Sequence, residues 1–413
     1  MTDEGALQEG RTGDDGFLRD ALLSLLVGTT DLPARELIRV VDVAGRVLGA
    51  ESARMLIADY ALTSLQELGE DGPTGARQPI DGTLAGRAFV KDEVVLSGDE
   101  SALVWVPLAE GTERLGVLEL THPRWTDELL TVLAPVVRLL VLVLISKRRY
   151  TDVVLRSRRA KAMSFAAELQ WDLLPPLTCS SDRVSVSGIL EPAYSIGGDS
   201  FDYAFNSKAV EFAIVDAVGR GTAAVLKSVA AINSLRNARR EGSGLESAYH
   251  DTGKVIATQF EQSNFATGQI ASFVTGQIGT LSLDTGELTW LNAGHPLPLL
   301  VRDGTFIGEL ACAPSMPMGL GGSVKEIATV KLQPGDRVLF YTDGVIETRS
   351  VEGQEFGVER LADFLVRATL DRVTPAETVR RLSASILAYN GAALNDDATL
   401  LLIDYHGGTT DQA

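Results

Sequence analysis

Cysteine and histidine are scarce in this chain: two cysteines, Cys179 and Cys312, and four histidines among 413 residues. Two cysteines so far apart make neither a disulfide framework nor a thiolate zinc site. No two histidines stand at ligand spacing, which argues against a histidine-built metal centre. Positive charge is short as well, with 37 Lys+Arg against 55 Asp+Glu and a formal net charge of −18. So acidic a surface repels phosphate backbones, and nucleic acid is not expected as a partner. The N-terminal MTDEGALQEGRTGDDG lacks the basic-then-apolar order of a secretory signal. No internal repeat stands out. The expectation is a soluble, cytoplasmic protein in which any metal is held by Asp and Glu oxygens.

Long apolar runs are few, and one tests the word soluble. Leu129 to Ile145 reads LLTVLAPVVRLLVLVLI, 17 residues interrupted by Pro135 and Arg138. A span needs about 20 such residues without a central charge, so a core helix is expected here rather than membrane contact. The composition, 45% hydrophobic and 22% charged, is that of a folded globular chain. At about 100–200 residues per domain, the length suggests two or three domains.

The texture changes along the chain. Residues 1–16 are Gly- and acid-rich and read as a disordered N-terminus. Residues 17–146 give two helices with apolar spacing of three and four, a strand at Ala53 to Leu62, a polar loop through Gly75, further alternating strands and the apolar helix. That is a compact α+β module. Residues 147–178 read as a continuation of the apolar helix, a linker helix with no turn signal until Pro175. It carries Lys147, Arg148, Arg149, Arg156, Arg158, Arg159 and Lys161 against one acid, Asp152, which makes either a solvated face or a docking surface for acidic groups. Residues 179–406 alternate strands with two helical blocks, suggesting two sheets packed face to face with helices outside, and 407–413 is a tail.

Aspartates mark the ends of strands in this last region. FAIVDAVGRG ends a strand on Asp216, RVLFYTDGVIE ends one on Asp343, and NDDATLLLI sets Asp396 and Asp397 before a third. EPAYSIGGDSFDYAF places Asp199 and Asp202 after a glycine pair that lets backbones approach closely. Any one Asp-Gly is ordinarily a turn. Several carboxylates gathered at one sheet edge repel each other at a cost of several kcal/mol unless cations neutralise them. Mg²⁺ or Mn²⁺ is the natural neutraliser, and a pair of such ions would serve phosphoryl hydrolysis.

These residues carry a resemblance. IGGDSFDY, IVDAVGRGTAAVL, GTLSLDTGELTWLNAGHPLPLL, PGDRVLFYTDGVIETRS, EFGVERL and DDATLLLI stand in the order in which they recur in the SpoIIE-like branch of the PPM-type metal-dependent serine/threonine protein phosphatases. The resemblance covers about residues 165 to 405 and implies an αββα sandwich with two Mn²⁺ or Mg²⁺ ions at one edge. It implies that Asp216 bridges both ions, that the Ala217 carbonyl completes one shell, that Asp199 ligates the second ion directly or through water, and that Asp343 and Asp396 hold the first. Asp396 rather than its neighbour Asp397 lies two residues before the Ala-Thr strand entry of the family pattern. Asp202 is expected to be structural, and His295 in NAGHPLP a strand-turn element. The sequence departs from the family's common Gly-His-Gly at Gly219-Arg220-Gly221, where Arg220 is either a phosphate-holding residue or an exposed helix start.

Residues 20 to 146 resemble a GAF sensor domain through GTLAGRAF, VWVPL and ERLGVLEL, with no Cys or His to mark a haem, bilin or iron site. AAELQWDLLPPL is similar to the helix that precedes the catalytic core in this phosphatase branch. Together the resemblances imply a homodimeric enzyme regulated through GAF and linker helices. Its implied substrate is a phosphorylated STAS-type anti-sigma-factor antagonist. A non-catalytic sensor or scaffold and a small-molecule phosphatase are the alternatives.

Overall fold

The computed structural model describes residues 4–33, 36–97, 103–195, 197–260, 271–391, 394 and 396–407. They fall into two compact units, Met1–Ala162 and Met163–Ala413.

In the first unit, alternating segments such as SARMLIA and LVWVPLAE form strands because one side of each can be buried. The strands are β1 Ser52–Ala58, β2 Ser64–Gly69, β3 Gly72–Pro79, β4 Val95–Leu96, β5 Leu103–Glu110 and β6 Glu113–Thr121. They make one antiparallel sheet in the order β3-β2-β1-β6-β5-β4. Helices α1 Glu4–Thr30, α2 Arg39–Val47 and α4 Asp127–Arg148 share a core with the sheet, while α3 Leu84–Lys91 and α5 Val153–Arg158 complete the unit. Met55, Ile57, Val104, Val106, Leu118 and Leu120 of the sheet pack in that core with Leu25, Val40 and Leu133. α4 is the one helix among the described residues long and apolar enough to cross a membrane. One stripe of it, Val132, Leu133, Val136, Val137, Leu140, Val141 and Leu144, is buried inside the unit, while Ala134, Arg138 and Leu142 form the exposed stripe.

Three expectations change. Helix α1 starts at Glu4, where the sequence suggested a disordered segment to residue 16. The stretch expected as a polar loop through Gly75 is the β2–β3 hairpin, polar because β3 is an edge strand exposed along most of its length. The long linker helix is three helices. Lys147 and Arg148 close α4 at its negative end, and Lys147 Nζ reaches the Leu32 carbonyl at 2.5 Å. α5 buries Val154 in the unit's core and ends where Arg77 donates to the Ser157 carbonyl at 3.1 Å and to that of Arg159. A new helix, α6 Phe165–Leu173, starts where the Ser164 hydroxyl accepts from Ala167 N at 3.1 Å. Helical periodicity continues through this segment, but caps divide it.

The second unit holds two antiparallel sheets. The first, in the order β15-β12-β11-β10-β9, contains β9 Asp199–Phe205, β10 Ala209–Ala217, β11 Val274–Ser282, β12 Glu287–Ala293 and β15 Ala328–Lys331. The second, β14-β13-β16-β17-β8-β7, contains β7 Thr178–Ser180, β8 Val184–Glu191, β13 Leu299–Arg302, β14 Thr305–Glu309, β16 Asp336–Tyr341 and β17 Ala398–Tyr405. The sheets face one another: the Phe212 and Phe340 rings lie 4.6 Å apart, and the Phe201 ring fills the space where a Gly188 side chain would sit. Outside the first sheet, α7 Thr222–Arg240 and α8 Leu245–Gln259 pack Ala231, Ile232, Leu235 and Ile256 on Ala213, Val215 and Ile278. The helices α10 Gly357–Leu370 and α11 Pro375–Asn390 lie against strands of the second sheet, after a short α9 Asp343–Glu347. The layers therefore run helix, sheet, sheet, helix. Residues 1–3 and 408–413, parts of the expected terminal tails, lie outside the described residues.

Candidate metal centre

Two sheets packed face to face bring strand ends from both to a common edge, and the aspartates fall there. In the β9–β10 register Asp199 stands opposite Asp216. In the second sheet, β16 runs out through Thr342 into Asp343 beside the start of β17, where Thr342 N donates to the Thr399 carbonyl at 3.1 Å. Asp199 joins the two sheets: its Oδ2 accepts from the Thr342 hydroxyl at 2.6 Å and the Thr399 hydroxyl at 2.8 Å. Neither threonine was singled out by the sequence, although each is a polar residue beside a strand-end aspartate.

Three glycines make the approach possible. A side chain at Gly344 would meet the Asp397 carbonyl oxygen at 1.8 Å, and one at Gly197 would meet Asp397 Oδ2 at 2.6 Å. At Gly198 it would lie 2.3 Å from the Ala217 carbonyl oxygen and 3.0 Å from Asp216 Oδ1, filling the space beside both donors. Ala217 N in turn donates to the Gly198 carbonyl at 3.1 Å, and the Ser228 hydroxyl of α7 donates to the same oxygen.

Burial and mutual repulsion set the electrostatics. Asp199 is buried and raised well above the usual carboxylate range, by desolvation first and then by Asp216 and Asp397. Asp216 is pushed up to about 7 by burial, then by Asp343, Asp396 and Asp397, and accepts a hydrogen bond from the Asp199 carboxyl. Asp343 is raised by burial and by Asp396. Asp397 is raised to about 6, mainly by burial, against the lowering effect of backbone N–H groups. The two neighbours differ: Asp397 is buried and its Oδ2 accepts from Gly197 N at 2.6 Å, whereas Asp396 is exposed, and both line a cleft of about 370 Å³.

The groups this edge could offer a metal are all oxygen: the carboxylates of Asp199, Asp216, Asp343 and Asp396 and the Ala217 carbonyl. Such donors fit hard divalent cations, and the uncompensated negative charge is what those cations would neutralise. Among the described residues no three acidic, His or Cys side chains already converge on one point as a closed ion site.

The other residues named from the sequence serve the frame. Asp202 is held by Arg236 at 2.6 Å and Arg239 at 2.8 Å, both on α7. His295 is buried, its Nδ1 3.1 Å from the Thr275 hydroxyl, in a turn where its backbone N donates to Asn292 Oδ1 at 2.7 Å. Burial pulls its pKa down to about 3, so it is a neutral core residue. Further residues of the frame went unassigned by sequence reading. Lys227 is buried on α7 and donates to the Val218 carbonyl at 2.9 Å, pinning the loop after Asp216. Its signal was its place on the buried stripe of α7, between Ala224 and Ala231. Gln170 of α6 donates to the backbone carbonyl of Asp199, and Trp171 Nε1 donates to that of Ala193 at 2.8 Å.

Residues 206–406 match the family model described as Stage II sporulation protein E, SpoIIE. This region is similar to the SpoIIE family. Among curated relatives, Protein IcfG of Synechocystis is 24% identical over 258 residues, covering 57% of this chain and 40% of that protein. The phosphoserine phosphatase RsbU of Bacillus subtilis is 22% identical over 250 residues, covering 58% of this chain and 69% of RsbU. The solved RsbU and RsbW domains of a Mycobacterium tuberculosis protein align with a TM-score of 0.47 at 24% identity, covering 55% of this chain and 62% of that one. The chain thus spans less than half the length of IcfG.

Proposed function

We propose that the SpoIIE-like domain hydrolyses phosphoserine or phosphothreonine in a protein substrate, using two Mn²⁺ or Mg²⁺ ions. The observation that carries this reading is the gathering of Asp199, Asp216, Asp343 and Asp396 at one edge of two packed sheets, where burial and mutual repulsion push the first three above the usual carboxylate range. Asp216 would serve both ions, the Ala217 carbonyl would complete one shell, Asp343 and Asp396 would hold the first ion, and Asp199 the second, directly or through water. Asp396 is favoured over Asp397 because Asp397 already accepts from Gly197 N. The ions would acidify a bound water and polarise a phosphoryl oxygen. On the protein's side, the Thr342 and Thr399 hydroxyls fix the Asp199 carboxylate, and the Gly198 and Ser228 contacts fix the loop that presents it. Water attacks phosphorus, the serine or threonine oxygen leaves with a proton, and inorganic phosphate is released.

The substrate we favour is a phosphorylated STAS-type anti-sigma-factor antagonist in a partner-switching pathway, in a cytoplasmic setting. RsbU's name as a phosphoserine phosphatase supports the choice of bond. The first unit would be a GAF-like sensor that pairs the chain as a homodimer and acts on the catalytic domain through α6. Gln170 on Asp199 supplies a physical handle for such control. Release of phosphate from a phosphorylated STAS protein with Mn²⁺, lost in Asp216→Asn and Asp343→Asn, tests the activity; no turnover with any divalent metal would sink it. Gln170→Leu should change the rate without changing the fold.

A further inference from the structure

We propose that Arg220 binds the phosphoryl group of the substrate, an inference that rests on the phosphatase reading above. Arg220 lines the cleft of about 370 Å³ together with Asp396, Asp397, Ser164, Pro192 and Thr222, and among the described residues it is the only cation in the lining. Its guanidinium makes no hydrogen bond or ion pair among the described residues, although Asp396 faces the same cleft. Other arginines of the same unit are committed: Arg236 and Arg239 hold Asp202, and Arg183 pairs with Asp284 at 2.9 Å. An uncommitted cation beside carboxylates is a group kept for a ligand of its own.

The backbone holds Arg220 in place. Val218 N donates to the Phe273 carbonyl at 3.1 Å, and Lys227 Nζ donates to the Val218 carbonyl at 2.9 Å. Gly219 at φ 111° and Gly221 at φ 64° take left-handed conformations on either side, so the residue between them projects from a turn fixed at both ends. A phosphate monoester brings two negative charges into a cleft already lined by acids. The planar guanidinium offers two parallel N–H donors matched to two phosphoryl oxygens, where a lysine offers a point charge and a neutral histidine less. A Gly-Arg-Gly turn at the metal edge is therefore a phosphate-recognition element.

Inorganic phosphate binding to the Mn²⁺-loaded full-length protein, measured by calorimetry, tests this independently of turnover. Arg220→Ala should weaken phosphate binding about 10- to 100-fold and raise KM for p-nitrophenyl phosphate by a similar factor. Arg220→Lys should fall between, and Mn²⁺ affinity should stay within about twofold of wild type, since Arg220 is not a metal ligand. Phosphate binding that is absent in wild type, equal in Arg220→Ala, or lost only in step with Mn²⁺ affinity overturns the proposal. Arg220-dependent phosphate binding without any turnover would instead overturn the phosphatase reading and leave this one standing.

Discussion

Asp199 and Asp216 face each other across the β9–β10 ladder, and Asp199 is tied through Thr342 and Thr399 to the opposite sheet. One carboxylate thus belongs to both halves of the sandwich. The pair would hold its negative charge comfortably only with cations beside it.

Metal should therefore stabilise the fold. Adding Mn²⁺ to the metal-free protein should raise its melting temperature, and a chelator should reverse this. In the metal-free state Asp216→Asn should melt higher than wild type, because one of several mutually repelling buried charges is gone, and it should lose the Mn²⁺-dependent shift. Thermal scans with and without metal measure both. A metal-free Asp216→Asn melting well below wild type would count against electrostatic repulsion at this edge.

The two aspartates of the DDAT element should separate in experiment. Asp396→Asn should cut Mn²⁺-dependent turnover about 100-fold or more with little loss of stability. Asp397→Ala, which removes the acceptor for Gly197 N, should destabilise the fold by about 1–3 kcal/mol as well. Chemical denaturation beside kinetics distinguishes them, and the reverse pattern would move the ligand to Asp397.

Asp202 should act on stability first. Its carboxylate bridges Arg236 and Arg239 while itself almost wholly buried, so Asp202→Ala leaves two guanidinium groups without their partner. A loss of about 3–5 kcal/mol is expected in urea melts. Mn²⁺ affinity of the folded fraction should hold.

His295 sets an acid limit. Its pKa in the folded state, about 3, lies below the unfolded value near 6.5, so the unfolded chain takes up the proton first. The contribution of neutral His295 is complete above about pH 6.5 and is lost as pH falls toward 3, by up to about 1.4 kcal/mol per pH unit. His295→Asn should flatten the stability profile in that window relative to wild type. Parallel profiles for the two proteins would refute the assignment.

The strands of the second unit were legible because FAIVDA, RVLFY and ATLLLI are short apolar runs bounded by Asp and Gly, and the aspartates at their ends stood out for the same reason. The β2–β3 hairpin was not legible, since an edge strand exposed along most of its length reads as loop. The breaks after Arg148 and before Ser164 were not legible either, because Lys147, Arg77 and Ser164 end or begin helices through partners distant in sequence or through a hydroxyl cap.

By itself the sequence determined which residues could form a metal centre and what kind of ion they suit, because donor chemistry resides in side-chain type. Only the tertiary structure decided that Asp397 is buried and supports Gly197 while Asp396 is exposed, that Asp202 is an ion-pair anchor, and that Lys227 and Gln170 hold the backbone around the site. Those roles depend on which groups two packed sheets bring within hydrogen-bonding distance and which they shut off from water, and no local pattern encodes either.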